Sequence, residues 1–337
     1  MQSVILKKPG GFNQIQITES SAAPAPGAGE ITVAIHAGSL NYHDLLVAAG
    51  HIETDDNRVL LSDGAGVVEA VGEGVTEFAV GDHVVSTFFP QWLDGAPNPG
   101  VGNFRSVPGD GIDGMAAQYV TRSVFAFTKA PKGWSHAEAA TITTAGLTAW
   151  RALVCDGGLK AGDTVVTLGT GGVSIAAIQI ANMFGAKVIV TSSSDEKLAR
   201  AEALGADAII NYKTTPDWGK QVMQLTDKRG ADHIIEVGGP ATLKQSIDAV
   251  AVGGHISLIG VLTGFQGDVP TAMLMFKQAR LQGLIVGNRR QQQDYVAALE
   301  QSDQRPVIDK TFRYAELEAA FEYQQSGAHF GKIAVEW

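Results

Sequence analysis

TVVTLGTGGVSIAAIQIA, residues 164–181, runs a short β-branched stretch into a glycine cluster and then into an apolar segment of helical length. A glycine cluster is informative when a strand precedes it and a helix follows. Gly169 suits the tight turn, and Gly171 or Gly172 permits close approach of a pyrophosphate to the backbone. The helix start, with Thr170 before it and Val173 in its first turn, offers N–H groups and a positive dipole to an anion. Ser174 stands where the third glycine of G-x-G-x-x-G falls, and is small enough for helix and strand to pack. The competing reading is a purely structural glycine turn.

Downstream of this unit, short apolar runs alternate with helical ones: KVIVTS, DEKLARAEALGA, AIINY, QVMQLTDK, HIIEVGG, LKQSIDAVAVGG and HISLIGVL. That alternation predicts an α/β domain with a parallel sheet covered on both faces, over residues 126–288. Upstream, ITVAIHAG and the valine-rich, glycine-broken run 64–85 predict a β-rich domain over 1–125. A short helix from Tyr42 to Gly50 interrupts it, with Asn41 as N-cap. Residues 88–114 gather prolines and glycines around three phenylalanines and a tryptophan, which predicts a long irregular loop. The last segment, 289–337, holds a helix and the strand KIAVEW, which return to the first domain.

Composition excludes several classes. With 35 acidic against 25 basic residues the net charge is -10, so nucleic acid is not an expected partner. The start MQSVILKKPGGF lacks the apolar stretch of a secretory signal, and the single cysteine forms no internal disulfide, so a cytoplasmic location is expected. No apolar run approaches the roughly 20 residues that span a bilayer, so no membrane role is expected. Cys155, in AGLTAWRALVC, is expected in a buried helix with a structural role.

At the end of the second strand, where an NAD site places Asp or Glu on the ribose, the chain has Thr191, Ser192, Ser193 and Ser194. Hydroxyls accommodate a 2'-phosphate that a carboxylate repels, and Lys197 with Arg200 can neutralise it. NADP(H) is therefore favoured over NAD(H). Asp195 and Glu196 argue against this, although Ser193 and Glu196 have the spacing of a capping box. A solvated helix face is the other reading of Lys197 and Arg200.

The chain resembles the medium-chain dehydrogenase/reductase superfamily, and within it the zinc-less, quinone-oxidoreductase-like members. The resemblance rests on LNYHDLLVAAG, DGAGVVEAVGEGVTEFAVGDHVV, AATITTAGLTAW, LGTGGVSIAAIQIA, SSSDEKL, GADAIINY, IIEVGG and HFGK, and covers nearly the whole chain. It implies a GroES-like catalytic domain, a Rossmann cofactor domain and an active-site cleft between them. Zinc alcohol dehydrogenases hold their catalytic metal with a cysteine, a histidine and a second cysteine or an aspartate. The matching positions here are Asn41, Ser62 and Thr144, and the loop 88–114 has none of the cysteines of a structural zinc lobe, so no metal is expected. The resemblance also implies cofactor contacts at Thr144, Thr148, Lys197, Tyr212, Gly260, Val261 and Asn288, and places Lys332 near the cofactor phosphates. Family members pair the edge near LQGLIVG across a two-fold axis, which implies a homodimer.

Without a metal, hydride delivery to an α,β-unsaturated carbonyl or a quinone is the easier chemistry, because the developing oxyanion is less basic than an alkoxide. Preorganised donors supply roughly 3 kcal/mol each to such a charge. Asn41 and Tyr42 are the candidate donors, and His43 is a candidate general acid. Tyr42 as a packing aromatic and His43 as a surface imidazole stay open. Phe89 and Trp92 either line an apolar substrate pocket or pack against their own domain. An alcohol or aldehyde dehydrogenase, and a non-catalytic NADPH-binding protein, are the competing functions.

Overall fold

The structure, a computed structural model, describes residues 1–19 and 25–337. It comprises two compact units, Met1–Leu147 with Val286–Trp337, and Thr148–Ile285. The change of period places the boundaries at 126 and 288. In the structure residues 126–147 group with the first unit, because the helix His136–Ala140 packs on the strand Glu30–Ser39. The helix Arg289–Glu300 packs on Phe127–Lys129 and draws Val286 to Asn288 with it.

In the second unit six parallel strands lie in the spatial order Ala208–Asn211, Lys187–Ser192, Thr164–Leu168, Ala231–Glu236, Val250–Leu258 and Arg280–Gly283. Numbered along the chain this is 3-2-1-4-5-6, the dinucleotide-binding order. The central strands are valine- and isoleucine-rich because helices cover both faces. Val166, Ile189, Ile234 and Ile256 meet Trp218, Val222 and Ile247 in one core. The expected α/β class and Rossmann sheet are therefore present.

In the first unit Glu30–Ser39 is the hub. It pairs antiparallel with Asp63–Val71, Tyr119–Ser123 and the C-terminal strand Lys332–Glu336. The last pairing sets Ala334 opposite Ser39, so the end of the chain lies beside the start of the helix Tyr42–Ala48. Residues 88–114 are irregular apart from a single 3-10 turn, Val101–Asn103.

Cys155 departs from expectation. The helix Leu147–Trp150 continues into a wider π turn, Arg151–Cys155, which shifts the register and leaves Cys155 exposed. Among the described residues, no helix is long and apolar enough to cross a membrane.

Candidate active site

The first unit builds a buried polar cluster from four separate stretches of chain. Leu61, in a left-handed conformation at φ 71, turns the chain so that Ser62 and Asp63 follow, both fully buried. The Asp63 carboxylate accepts from Thr144 Oγ1 at 2.6 Å and Ser39 Oγ at 2.7 Å. Asp44 accepts from Ser62 N at 2.9 Å, Asn41 N at 2.9 Å and Asn41 Nδ2 at 3.0 Å. Asn41 Nδ2 also stands 3.4 Å from Ser62 Oγ. Asn41, Ser62 and Thr144, the positions that the resemblance matches to zinc ligands, thus converge, joined by two carboxylates.

Lys332 closes the cluster. Its ammonium donates to Leu40 O and to Asn41 Oδ1, each at 2.6 Å, and lies 3.8 Å from Asp63. Burial holds Lys332 below the usual lysine range, with Asp63 and Asp44 opposing that shift. Burial also raises the Asp44 carboxyl, and the neighbouring Asp63 charge raises it further. This is a correction to the placement of Lys332 near the cofactor phosphates, since its N–H donors are directed at acceptors inside the first unit. Asn41 is corrected as well. Its amide is bonded to Asp44 and Lys332, so it positions the helix start and is not a free donor for substrate.

The helix Tyr42–Ala48 carries the two remaining candidates. Tyr42 is 42% exposed, which sets aside its reading as a packing aromatic. His43 is no surface imidazole. Its ring stacks on Phe104 at 5.2 Å and 15°, meets the edge of Phe88 at 5.7 Å, and places Nε2 3.2 Å from Asp110 Oδ2. Phe104 adopts φ 55, costly for a bulky side chain, and that backbone brings its ring onto His43. Asp110 was invisible to sequence reasoning because PGDG reads as an ordinary turn. Phe89 and Trp92 are each 2% exposed; Phe89 packs on Phe88, Phe104 and Trp92, in the aromatic group that includes the two rings against His43.

The second unit presents the glycine turn. Gly169 has φ 72, which a side chain would strain. Gly171 has an ordinary φ of -79, and a Cβ there would meet no protein atom within 4 Å. Neither its backbone conformation nor its packing requires glycine, so the free space suits a group from outside the chain, at the N-terminus of the helix Gly172–Met183. Ser174 Oγ donates to Leu168 O at 2.7 Å, tying that helix to the strand end. Gly171, Gly172 and Val173 are partly exposed, whereas Thr170 and Thr148 are buried.

The sheet register aligns Leu168 with Thr191 and Ser192 with Asn211, which brings Ser193 and Tyr212 out at neighbouring strand ends. Tyr212 is 42% exposed, Lys197 half-buried, and Ser192 nearly buried. The expected Ser193–Glu196 capping box is not formed. Ser194 is the N-cap, and its hydroxyl accepts from Lys197 N at 3.3 Å. Asp195 accepts from Asn211 Nδ2 at 2.6 Å, while Glu196 is exposed and has no capping role. Gly260 lies where a Cβ would run into Val237 O, so its glycine serves close packing of adjacent strand ends, with the partly exposed Val261 next to it. Glu236, in the IIEVGG stretch but not singled out as a site residue, is buried beneath that loop and accepts from Gly238 N, Gly239 N, Thr242 Oγ1 and Ser246 Oγ. Asn288, expected from the resemblance at the nicotinamide, has a structural role as well. It belongs to the first unit and caps the helix Arg289–Glu300, its side chain accepting from Gln291 N and donating to Gly95 O.

Two family models match the chain, the alcohol dehydrogenase GroES-like domain over residues 27–132 and the zinc-binding dehydrogenase over 172–303. A zinc-type alcohol dehydrogenase-like protein of Schizosaccharomyces pombe is 40% identical, with 96% of each chain covered. The chain belongs to the medium-chain dehydrogenase/reductase superfamily. A crystal structure from Sinorhizobium meliloti 1021, provisionally named an alcohol dehydrogenase, is 44% identical and superposes with a TM-score of 0.93, covering 100% of this chain and 99% of the other. A quinone oxidoreductase of Pseudomonas syringae is 25% identical, with a TM-score of 0.83 and the same coverage.

The zinc in the family's name does not fit the residues of this dehydrogenase/reductase. Two hydroxyls and an amide replace the ligands, and an ammonium sits 2.6 Å from the amide oxygen. Among the described residues, no group of three or more His, Cys, Asp or Glu is arranged to hold a metal ion.

Replacing Lys332 by methionine leaves Asp63 and Asp44 buried without their cation. The loss in unfolding free energy is expected to be about 3 kcal/mol near neutral pH. Asp44 already binds its proton more tightly folded than unfolded, so its ionisation costs stability as pH rises through the folded value. The deficit should therefore be largest at about pH 8 and shrink towards about pH 5. Urea unfolding of both proteins at the two pH values checks this, and an equal deficit at both would contradict the charge argument.

Proposed function

We propose that this protein is a zinc-independent, NADP(H)-dependent oxidoreductase that reduces an α,β-unsaturated carbonyl or a quinone. The observation that supports the reading is the buried ammonium of Lys332, hydrogen-bonded to Asn41 and 3.8 Å from Asp63, in the cluster that holds Asn41, Ser62 and Thr144, the positions the resemblance matches to zinc ligands. When bound, NADPH supplies a hydride. Gly169 to Val173 would hold its pyrophosphate, and Ser192, Ser193, Lys197 and Tyr212 its 2'-phosphate. Asp195, turned to Asn211, leaves that side free of one carboxylate.

In the first unit, Tyr42 offers its exposed hydroxyl to the substrate oxygen as negative charge develops there. Addition at the β-carbon moves an electron pair onto that oxygen, and the resulting enolate takes a proton. The Phe104 ring stacks on the His43 imidazole and Asp110 lies 3.2 Å from its Nε2, and we assign the giving of that proton to this imidazole. The saturated carbonyl is the product. The names of the Schizosaccharomyces and Sinorhizobium relatives favour a second reading, interconversion of an alcohol and an aldehyde by hydrogen bonds alone. A cytoplasmic location belongs to the same reading.

Fluorescence titration of chelator-treated protein is expected to show NADPH binding at least about tenfold tighter than NADH, with the preference lost in Lys197→Ala. Turnover of a 2-enal with NADPH, and none of its saturated aldehyde, is then expected. Equal affinity for the two cofactors would overturn the 2'-phosphate argument, turnover of the saturated aldehyde would favour the second reading, and binding with no turnover would favour a non-catalytic protein.

The working form is proposed to be a homodimer. The strand Arg280–Gly283 is paired on one side only, and Ile285 beyond it is 42% exposed. Sedimentation velocity should give the dimer mass, and a monomer at micromolar concentration would refute it.

A further inference from the structure

The irregular loop of the first unit has a second face. Away from His43, Pro90, Leu93, Arg105, Pro108, Arg122 and Phe125 are among the residues that line a cavity of about 480 Å³. No Asp or Glu lines it, in a chain whose net charge is -10. Arg105 is exposed, and its guanidinium has no hydrogen bond or ion pair among the described residues. Arg122 donates its terminal nitrogens to the backbone oxygens of Thr121 and Asp113, while its Nε is buried with no partner. Leu93 and Phe125 leave apolar surface exposed, at 41% and 45%. A lining of apolar side chains and two guanidiniums complements a ligand that is apolar along its body and anionic at one end.

We propose that this cavity is a second binding site, for a small organic anion with an apolar body, of the kind represented by a medium-chain carboxylate. The site has a structural link to His43. One compact segment, closed by bonds from Val107 N to Phe104 O and from Gly109 N to Ile112 O, presents Phe104 and Asp110 to the imidazole, and Arg105, Pro108 and Ile112 to the cavity. A ligand in the cavity therefore bears on the segment that orients His43. The proposal does not depend on the cofactor or the reaction.

Isothermal titration with hexanoate and with 1-hexanol, matched in chain length and differing in charge, tests it directly. Hexanoate should bind at one site, hexanol at least about tenfold more weakly, and Arg105→Gln should weaken hexanoate by about the same factor. Gln91→Trp, at an exposed position of the lining, should block the cavity while the unfolding temperature stays unchanged. Absence of hexanoate binding, equal binding of hexanol, or hexanoate binding that survives both substitutions would each overturn the proposal.

Discussion

The first unit depends on one buried ammonium. Lys332 begins the C-terminal strand, and its hydrogen bonds to Leu40 O and Asn41 Oδ1 fasten that strand to the start of the helix bearing Tyr42 and His43. A cation out of water is costly, and here two short hydrogen bonds and the carboxylate of Asp63 offset the cost. Asp63 in turn accepts from Ser39 and Thr144, and Asp44 from Ser62 and Asn41. Removal of the ammonium would leave both buried carboxyl groups without a cation. The result is a rigid polar floor beneath a helix of only seven residues, too short to hold its orientation alone.

That floor also explains the division of labour along residues 41–43. Asn41 is consumed by the cluster, Tyr42 faces solvent, and His43 turns to the aromatic wall of Phe88 and Phe104 with Asp110 at its Nε2. In the second unit the corresponding fixed point is Glu236, whose four accepted hydrogen bonds set the loop beside Gly260. Both units thus place a buried carboxyl group under a backbone turn that its hydrogen bonds hold, Asp44 in the first and Glu236 in the second.

Much of this was legible in the sequence where the signal is local. The strand–glycine–helix unit at 164–181 foretold the sheet, because parallel strands covered on both faces show as unbroken valine and isoleucine runs. The same locality exposed the helix after Asn41 and the irregular loop 88–114. What sequence missed is long-range. Lys332 lies 292 positions from Leu40, and nothing in HFGK signals that its ammonium is buried there. Asp110 hides in a turn-like PGDG, and Arg105 and Arg122 come to line one cavity only through folding. Ser194 took the cap expected of Ser193 because the strand ends at Ser192 as read but the helix begins at Asp195, one residue later than a Ser193 cap implies. Asn288 kept the look of a ligand contact while its amide went to a helix cap.

The central claim is that the charge at the family's metal position is supplied by Lys332. The most direct test is to equilibrate the purified protein with excess zinc, dialyse it, and measure both the zinc retained and the turnover of a 2-enal with NADPH. No stoichiometric zinc, and turnover equal to that of chelator-treated protein, are expected. One zinc retained per chain, with turnover rising and falling in proportion to it and lost in Ser62→Ala, would contradict the claim.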